Sequence, residues 1–307
     1  MPALTLPLYL ALAATTQAPP QPTSIEIDIS TGHIILPVYI EDNGPYWFIL
    51  DTGNQNTAIF NHIAESAAIE TEPFGEMGGA GSGSVSVHQA ADIEVRLGDD
   101  KHPLEFTDPL VTVLPDEAQL PDFNGKTIAG FLGASLIEQY MTTIDYADAL
   151  LTFTPHADYT EPKDARIMQM PIVFGFPYFE GSVTPTLMGE PTKPVVGNFL
   201  LDLGATFPIE IDHDQALERG LVDADDPDQQ AVGQAMGIDG VLFDIRTAPL
   251  AEATMGTLKL DEPSVLFATS PGGGPPIENL VGAIGSGLFQ SSTITLDYKN
   301  NRLIWHP

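Results

Sequence analysis

Two short segments of the 307-residue chain hold an acidic residue in a setting that could do chemistry. Trp47-Phe48-Ile49-Leu50 runs into Asp51-Thr52-Gly53-Asn54, and Asn198-Phe199-Leu200-Leu201 runs into Asp202-Leu203-Gly204-Ala205. An apolar strand that delivers Asp, then a small hydroxyl residue, then Gly presents a carboxylate on a tight turn. Gly allows close backbone approach or positive φ, and a Thr hydroxyl can lock the turn by hydrogen bonding. A carboxylate held this way is a candidate proton donor or acceptor. Asp42-Asn43-Gly44 also reads Asp-x-Gly, but no buried apolar strand leads into it, so it is read as a hairpin turn between two strands.

The rest of the chain repeats with the two Asp segments. Phe131-Leu132-Gly133 is echoed by Ala283-Ile284-Gly285, and Thr143-Ile144-Asp145-Tyr146 by Thr295-Leu296-Asp297-Tyr298. Gly133 follows Asp51 by 82 positions and Gly285 follows Asp202 by 83, while Asp145 and Asp297 each follow their glycine by 12. Three landmarks in one order at matching separations mark a duplication. Its copies span 25–157 and 165–307, joined by a linker at 158–164 within the polar stretch from Pro155 to Ala165. Asp145 and Asp297, although they recur, are read as structural residues at the turn before a terminal strand.

The elements that must position these residues are mostly strands. Ile25 to Ile29, Ser84 to Val87 and Ile93 to Leu97 alternate apolar and polar with period two. Helical spacing is confined to Asn61–Ala68, Ala134–Tyr140 and Asp214–Arg219. Many short strands with 28 Gly and 27 Pro, and no βαβ alternation, point to an all-β chain of barrels or sandwiches.

This pattern resembles the aspartic peptidases of the pepsin and retropepsin superfamily, and is nearest to bacterial retropepsin-like proteins with two fused lobes. The resemblance covers nearly everything from residue 25 onward. It implies two similar barrel-like lobes related by pseudo-two-fold symmetry, with Asp51 and Asp202 side by side as the catalytic pair. Thr52, Gly53, Asn54, Leu203, Gly204 and Ala205 are then the supporting loop residues. In that family one carboxylate of the pair keeps a shared proton, the other activates a water, and no metal or cofactor takes part. A glycine-rich hairpin closes over the substrate, for which Gly78, Gly79, Gly81, Ser82 and Gly83 are the candidates, whereas Gly233 to Gly240 in the second copy lacks a comparable run of small residues. Leu203 departs from the family, where Thr or Ser supplies a hydroxyl to a lattice between the loops. Asn54 also stands where Ser or Ala is expected. The implied function is endopeptidase cleavage of an extended polypeptide by a monomer. Because of Leu203, a degenerate pseudo-peptidase that binds peptides stays open, as does an acidic carbohydrate- or ion-binding β-protein.

Composition narrows the field. The net charge of −31 opposes binding to nucleic acid and to anionic lipid surfaces. The absence of cysteine removes thiol catalysis and disulfides. The seven histidines form no metal-binding motif, and Asp223-Ala-Asp-Asp-Pro-Asp228 is read as a solvated loop. Pro115 to Gly125 and Pro271 to Pro276 are read as surface loops edging the cleft. Leu4 to Ala14 is too short to span a membrane. With small residues and Pro19, Pro20 and Pro22 after it, residues 1–24 read as a signal peptide and spacer, which places the mature protein in the periplasm or outside the cell.

Overall fold

The computed structural model describes residues 22–98, 103–221, 231–256, 258–261 and 264–306. Residues 1–21 of the expected leader and the acidic run at 223–228 lie outside the described residues.

The described chain is almost entirely β and forms two barrel-like lobes plus a sheet that both halves build. That shared sheet has six strands in the order Thr23–Glu26, Leu150–Thr154, Met141–Asp145, Thr293–Asp297, Arg302–His306, Arg166–Gln169. Its central pair is antiparallel, with Thr143 opposite Thr295 and their hydroxyls 2.8 Å apart. These two threonines occupy matching positions of the repeat, so the local two-fold axis passes between them.

In the first lobe, the strand Asn43–Leu50 ends at Asp51, and Ala58–Phe60 picks the chain up after the loop. Ile128–Leu132 threads between these strands, parallel to the first and antiparallel to the second. The second lobe repeats this with Val195–Asp202, Ile209–Ile211 and Leu280–Gly285. The crossing is tight: a Cβ on Gly130 would lie 2.1 Å from the Ala58 carbonyl oxygen, and one on Gly282 would lie 2.0 Å from that of Glu210. Only glycine fits at these crossings.

Alternation works as the sequence suggests in Ile93–Leu97, where Ile93, Val95 and Leu97 are buried and Glu94 is exposed. Each such apolar side chain contributes about 1.5–3 kcal/mol by leaving water. The first expected strand is shifted: pairing runs over Thr23–Glu26, and Asp28 makes a separate bridge to Ile35. The hairpin turn falls at Glu41-Asp42, both with positive φ, while Asn43 and Gly44 already belong to the next strand.

Two of the three helices are shorter than their spacing suggests, and the third is shifted. The first covers Asn61–Ser66, because Ala68 turns left-handed (φ 56°) and Ile69 N–H donates back to the Ala64 carbonyl. The second is a single turn, Ala134–Ile137. The third, His213–Glu218, starts one residue early because the Asp212 carboxylate caps it, accepting from Asp214 and Gln215 N–H.

The lobes differ in one strand. The first breaks at Asp92 (φ 55°) between Ser84–Ala90 and Ile93–Leu97, whereas the second runs unbroken over the 14 residues Leu242–Met255.

Candidate active site

Each Asp sits where an apolar strand runs out. Asp51 N–H donates to the Leu132 carbonyl at 2.9 Å, and Asp202 lies opposite Gly285 in the matching parallel pair. Backbone donors then fix the carboxylates. Gly53 N–H donates to Asp51 Oδ1 at 2.7 Å, and Gly204 and Ala205 N–H donate to Asp202 Oδ1 at 3.0 and 3.2 Å. Asn54 adds an amide N–H to Asp51 Oδ2, for which the second loop has only Ala205. The glycines face the opposite acid. A Cβ on Gly204 would lie 2.4 Å from Asp51 Cγ, and one on Gly53 would lie 3.2 Å from Asp202 Cγ. Glycine at these positions is what lets the loops close on each other.

The structure therefore brings Asp51 and Asp202 side by side: a Cβ on Gly53 would lie 3.0 Å from Asp51 Oδ1 and 3.2 Å from Asp202 Oδ1. Burial raises the pKa of both. Asp202 is pushed well above the usual carboxylate range, first by burial and then by the charge of Asp51. Hydrogen bonds from Gly53, Asn54 and the Asp202 carboxyl oppose the rise at Asp51. Titration belongs to the two groups jointly, and both directions favour retention of a proton by the pair above the ordinary carboxylate range.

Behind the pair, Thr52 Oγ1 donates to the Leu201 carbonyl at 2.6 Å and accepts from Leu203 N–H at 2.9 Å. Leu203 is fully buried and has no hydroxyl with which to return these bonds to the first loop. The lattice behind the pair is thus one-sided, with Thr52 supplying both of its side-chain bonds to the second loop. Thr52→Val leaves a buried carbonyl and a buried N–H without partners, and is expected to destabilise the protein by about 2–4 kcal/mol. Denaturant unfolding measures this; a loss under about 0.5 kcal/mol would show that the loops are held by other packing.

The cleft above the pair has a volume of about 2220 Å³ and is lined from both lobes. Its roof is a pair of hairpins. Glu72–Gly78 and Ser84–Ala90 carry the tip containing Gly78, Gly79, Gly81, Ser82 and Gly83. Ala231–Met236 and Leu242–Met255 form the second hairpin, whose tip Gly237-Ile238-Asp239-Gly240 meets the first. Ile238 N–H donates to the Ala80 carbonyl at 2.8 Å. From a third segment, Gly273 N–H donates to the Gly79 carbonyl at 2.8 Å.

The loops read as edging the cleft do so: Ala118, Leu120 and Phe123 line it on one side and Gly272 to Pro276 on the other. The second tip falls within Gly233 to Gly240, the stretch the sequence offers in the second copy without a run of small residues, and Asp239-Gly240 there is itself a hairpin signal. Sequence reasoning passed over Gln55 and Phe174, which join the lobes at the mouth of the cleft. Glu210, at the position matching Ala58 of the first lobe, lines the cleft with its pKa raised to about 7 by burial and the neighbouring Asp212. Asp297 accepts from Asn300 and from Arg302 Nε at 2.6 Å, as a structural turn residue does. Among the described residues no group of three or more His, Asp or Glu could hold a metal ion.

The two lobes and their paired Asp loops make an aspartic-protease-like fold. Residues 36–136 match the family model described as aspartyl protease, a span that holds the first Asp loop, the first hairpin tip and the Phe131-Leu132-Gly133 strand. No curated protein matches the chain. Among solved structures, basic 7S globulin from soybean is 10% identical, with 93% of this chain and 94% of that chain covered and a TM-score of 0.48. Conglutin gamma, a basic 7S globulin from lupine seeds, is 11% identical at the same coverage, with a TM-score of 0.49.

Proposed function

We propose that the protein is an aspartic endopeptidase that cleaves extended polypeptides with a water activated between Asp51 and Asp202. The observation that carries this reading is the adjacent carboxyl pair, Asp51 buried and Asp202 half-buried, lining one cleft large enough for a strand-like substrate.

Asp51, the ionised member, takes a proton from the water as its oxygen attacks the peptide carbonyl carbon. Asp202 gives its proton to the carbonyl oxygen, so the tetrahedral intermediate is neutral. Asp51 then returns its proton to the leaving nitrogen as the C–N bond breaks, and Asp202 recovers a proton from the collapsing hydroxyl. The chain's own groups suffice for every proton.

Digestion of an unfolded protein across pH tests the proposal. The rate should be bell-shaped. It falls at low pH as Asp51 protonates, and falls at high pH as Asp202 ionises, with that second limb above the ordinary carboxylate value of about 4. A transition-state mimic bearing a hydroxyl in place of the scissile carbonyl should abolish it. Absence of turnover at every pH, with peptide affinity retained, would instead support a pseudo-peptidase, the reading that Leu203 favours.

The lobes proposed for this activity are 25–157 and 165–307, and one chain supplies both acids, so the protein is proposed to act as a monomer. Among the described residues no helix is long and apolar enough to cross a membrane. The apolar stretch Leu4 to Ala14 supports export of the mature protein.

A further inference from the structure

Each lobe sends one turn across to the other's Asp loop, and the two turns are not alike. In the first lobe, Gly32 (φ 88°) packs on Thr206, and Ser286 Oγ donates to its carbonyl at 3.0 Å. In the second, Gly175 (φ 84°) packs on Ala134 and Gln55, and Gln55 Nε2 donates to the Phe174 carbonyl at 2.5 Å. Thr206 and Gln55 occupy matching positions of the repeat, as do Ser286 and Ala134. The residue before the glycine differs: it is Thr31 in one turn and Phe174 in the other. Phe174 lines the cleft, is 71% exposed, and has a left-handed backbone (φ 51°). An aromatic residue in that conformation is strained, and a large exposed apolar side chain is unfavourable in water, so folding alone does not explain it. Asn or Gly would suit the turn better. The ends of the cleft are correspondingly unequal. Thr31 does not line the cleft, whereas nearby His33 does, with its ring 4.6 Å from that of Phe123; at the other turn Phe174 itself and Phe176 line it.

We propose that the Phe174–Gly175 turn is a specificity element, in which Phe174 packs against an apolar side chain of the bound polypeptide at the Gln55 end of the cleft and so sets which way round a substrate lies. The inference rests on the peptide-cleft reading, but needs only binding and not cleavage.

The test is calorimetric titration of wild type and Phe174→Asn with extended peptides. Within each pair of peptides one position is Leu or Ser, and that position is moved along the sequence. Phe174→Asn should weaken binding about tenfold for peptides with Leu at one position only, leave the Ser-bearing partners unchanged, and melt at the same or a higher temperature. Equal weakening of both sets, or none, overturns the proposal while the cleft reading survives. If wild type binds none of the peptides, both fall together. Binding without cleavage leaves the inference standing.

Discussion

Asp202→Asn should lower the proposed peptide-bond hydrolysis by about 1,000-fold or more, and Asp51→Asn should do the same, because on the proposed mechanism each removes one of the two proton-transfer groups. The double variant is no worse than either single one, since the pair acts as a unit. Asn preserves shape and accepts the same backbone donors, so the fold persists. Stability supplies a separate readout. The raised pKa of Asp202 means that its neutral form is favoured on folding. That contribution is complete below the ordinary carboxylate pKa and is lost as pH rises through the raised folded value. Asp202→Asn cannot ionise, so its stability should fall less than that of wild type between acid and neutral pH, as measured by urea unfolding. Activity above a tenth of wild type in either single variant would sink the shared-proton mechanism.

Locking the two hairpin tips together nearly abolishes turnover of a protein substrate. A Cβ on Gly79 would lie 3.3 Å from Ile238 Cβ, close to the spacing of about 3.8 Å that a disulfide needs. Gly79 does not have a positive φ, so Cys is tolerated there. The natural chain has no cysteine, so Gly79→Cys with Ile238→Cys supplies the only two thiols. Oxidation should close the roof over the cleft and exclude substrate, and dithiothreitol should restore the rate. If the oxidised protein digests its substrate as fast as the reduced one, the tips need not part and the cleft is loaded from its ends.

The doubled all-β architecture was legible because its signals are local and repeated: apolar runs into Asp51 and Asp202, and the Phe131 and Ala283 segments at equal distances downstream. Period-two alternation located Ile93–Leu97 to the residue, since one face of that strand is buried. Helix ends were misread because spacing cannot see a left-handed Ala68 or an Asp212 cap one residue upstream. The contacts between the lobes were hidden for another reason. Val173-Phe174-Gly175-Phe176 reads as a plain apolar strand, and only the fold shows a turn there, held by an amide from Gln55. The stretch holding Ile238 was legible as the second copy's counterpart, but its contact with the Ala80 carbonyl of the other hairpin was not.

The six-stranded sheet with Thr143 facing Thr295 has a consequence for how such a protein can vary. Where two identical subunits meet on such an axis, every replacement appears twice, so each must be tolerated in both settings. Covalent fusion lifts that restriction. Asn54 could arise without a second amide opposite it, Leu203 could displace a hydroxyl while Thr52 kept its own, and Phe174 could settle in one turn while Thr31 stayed at the matching place in the other. Joining the halves in one chain thus gives the molecule a left and a right.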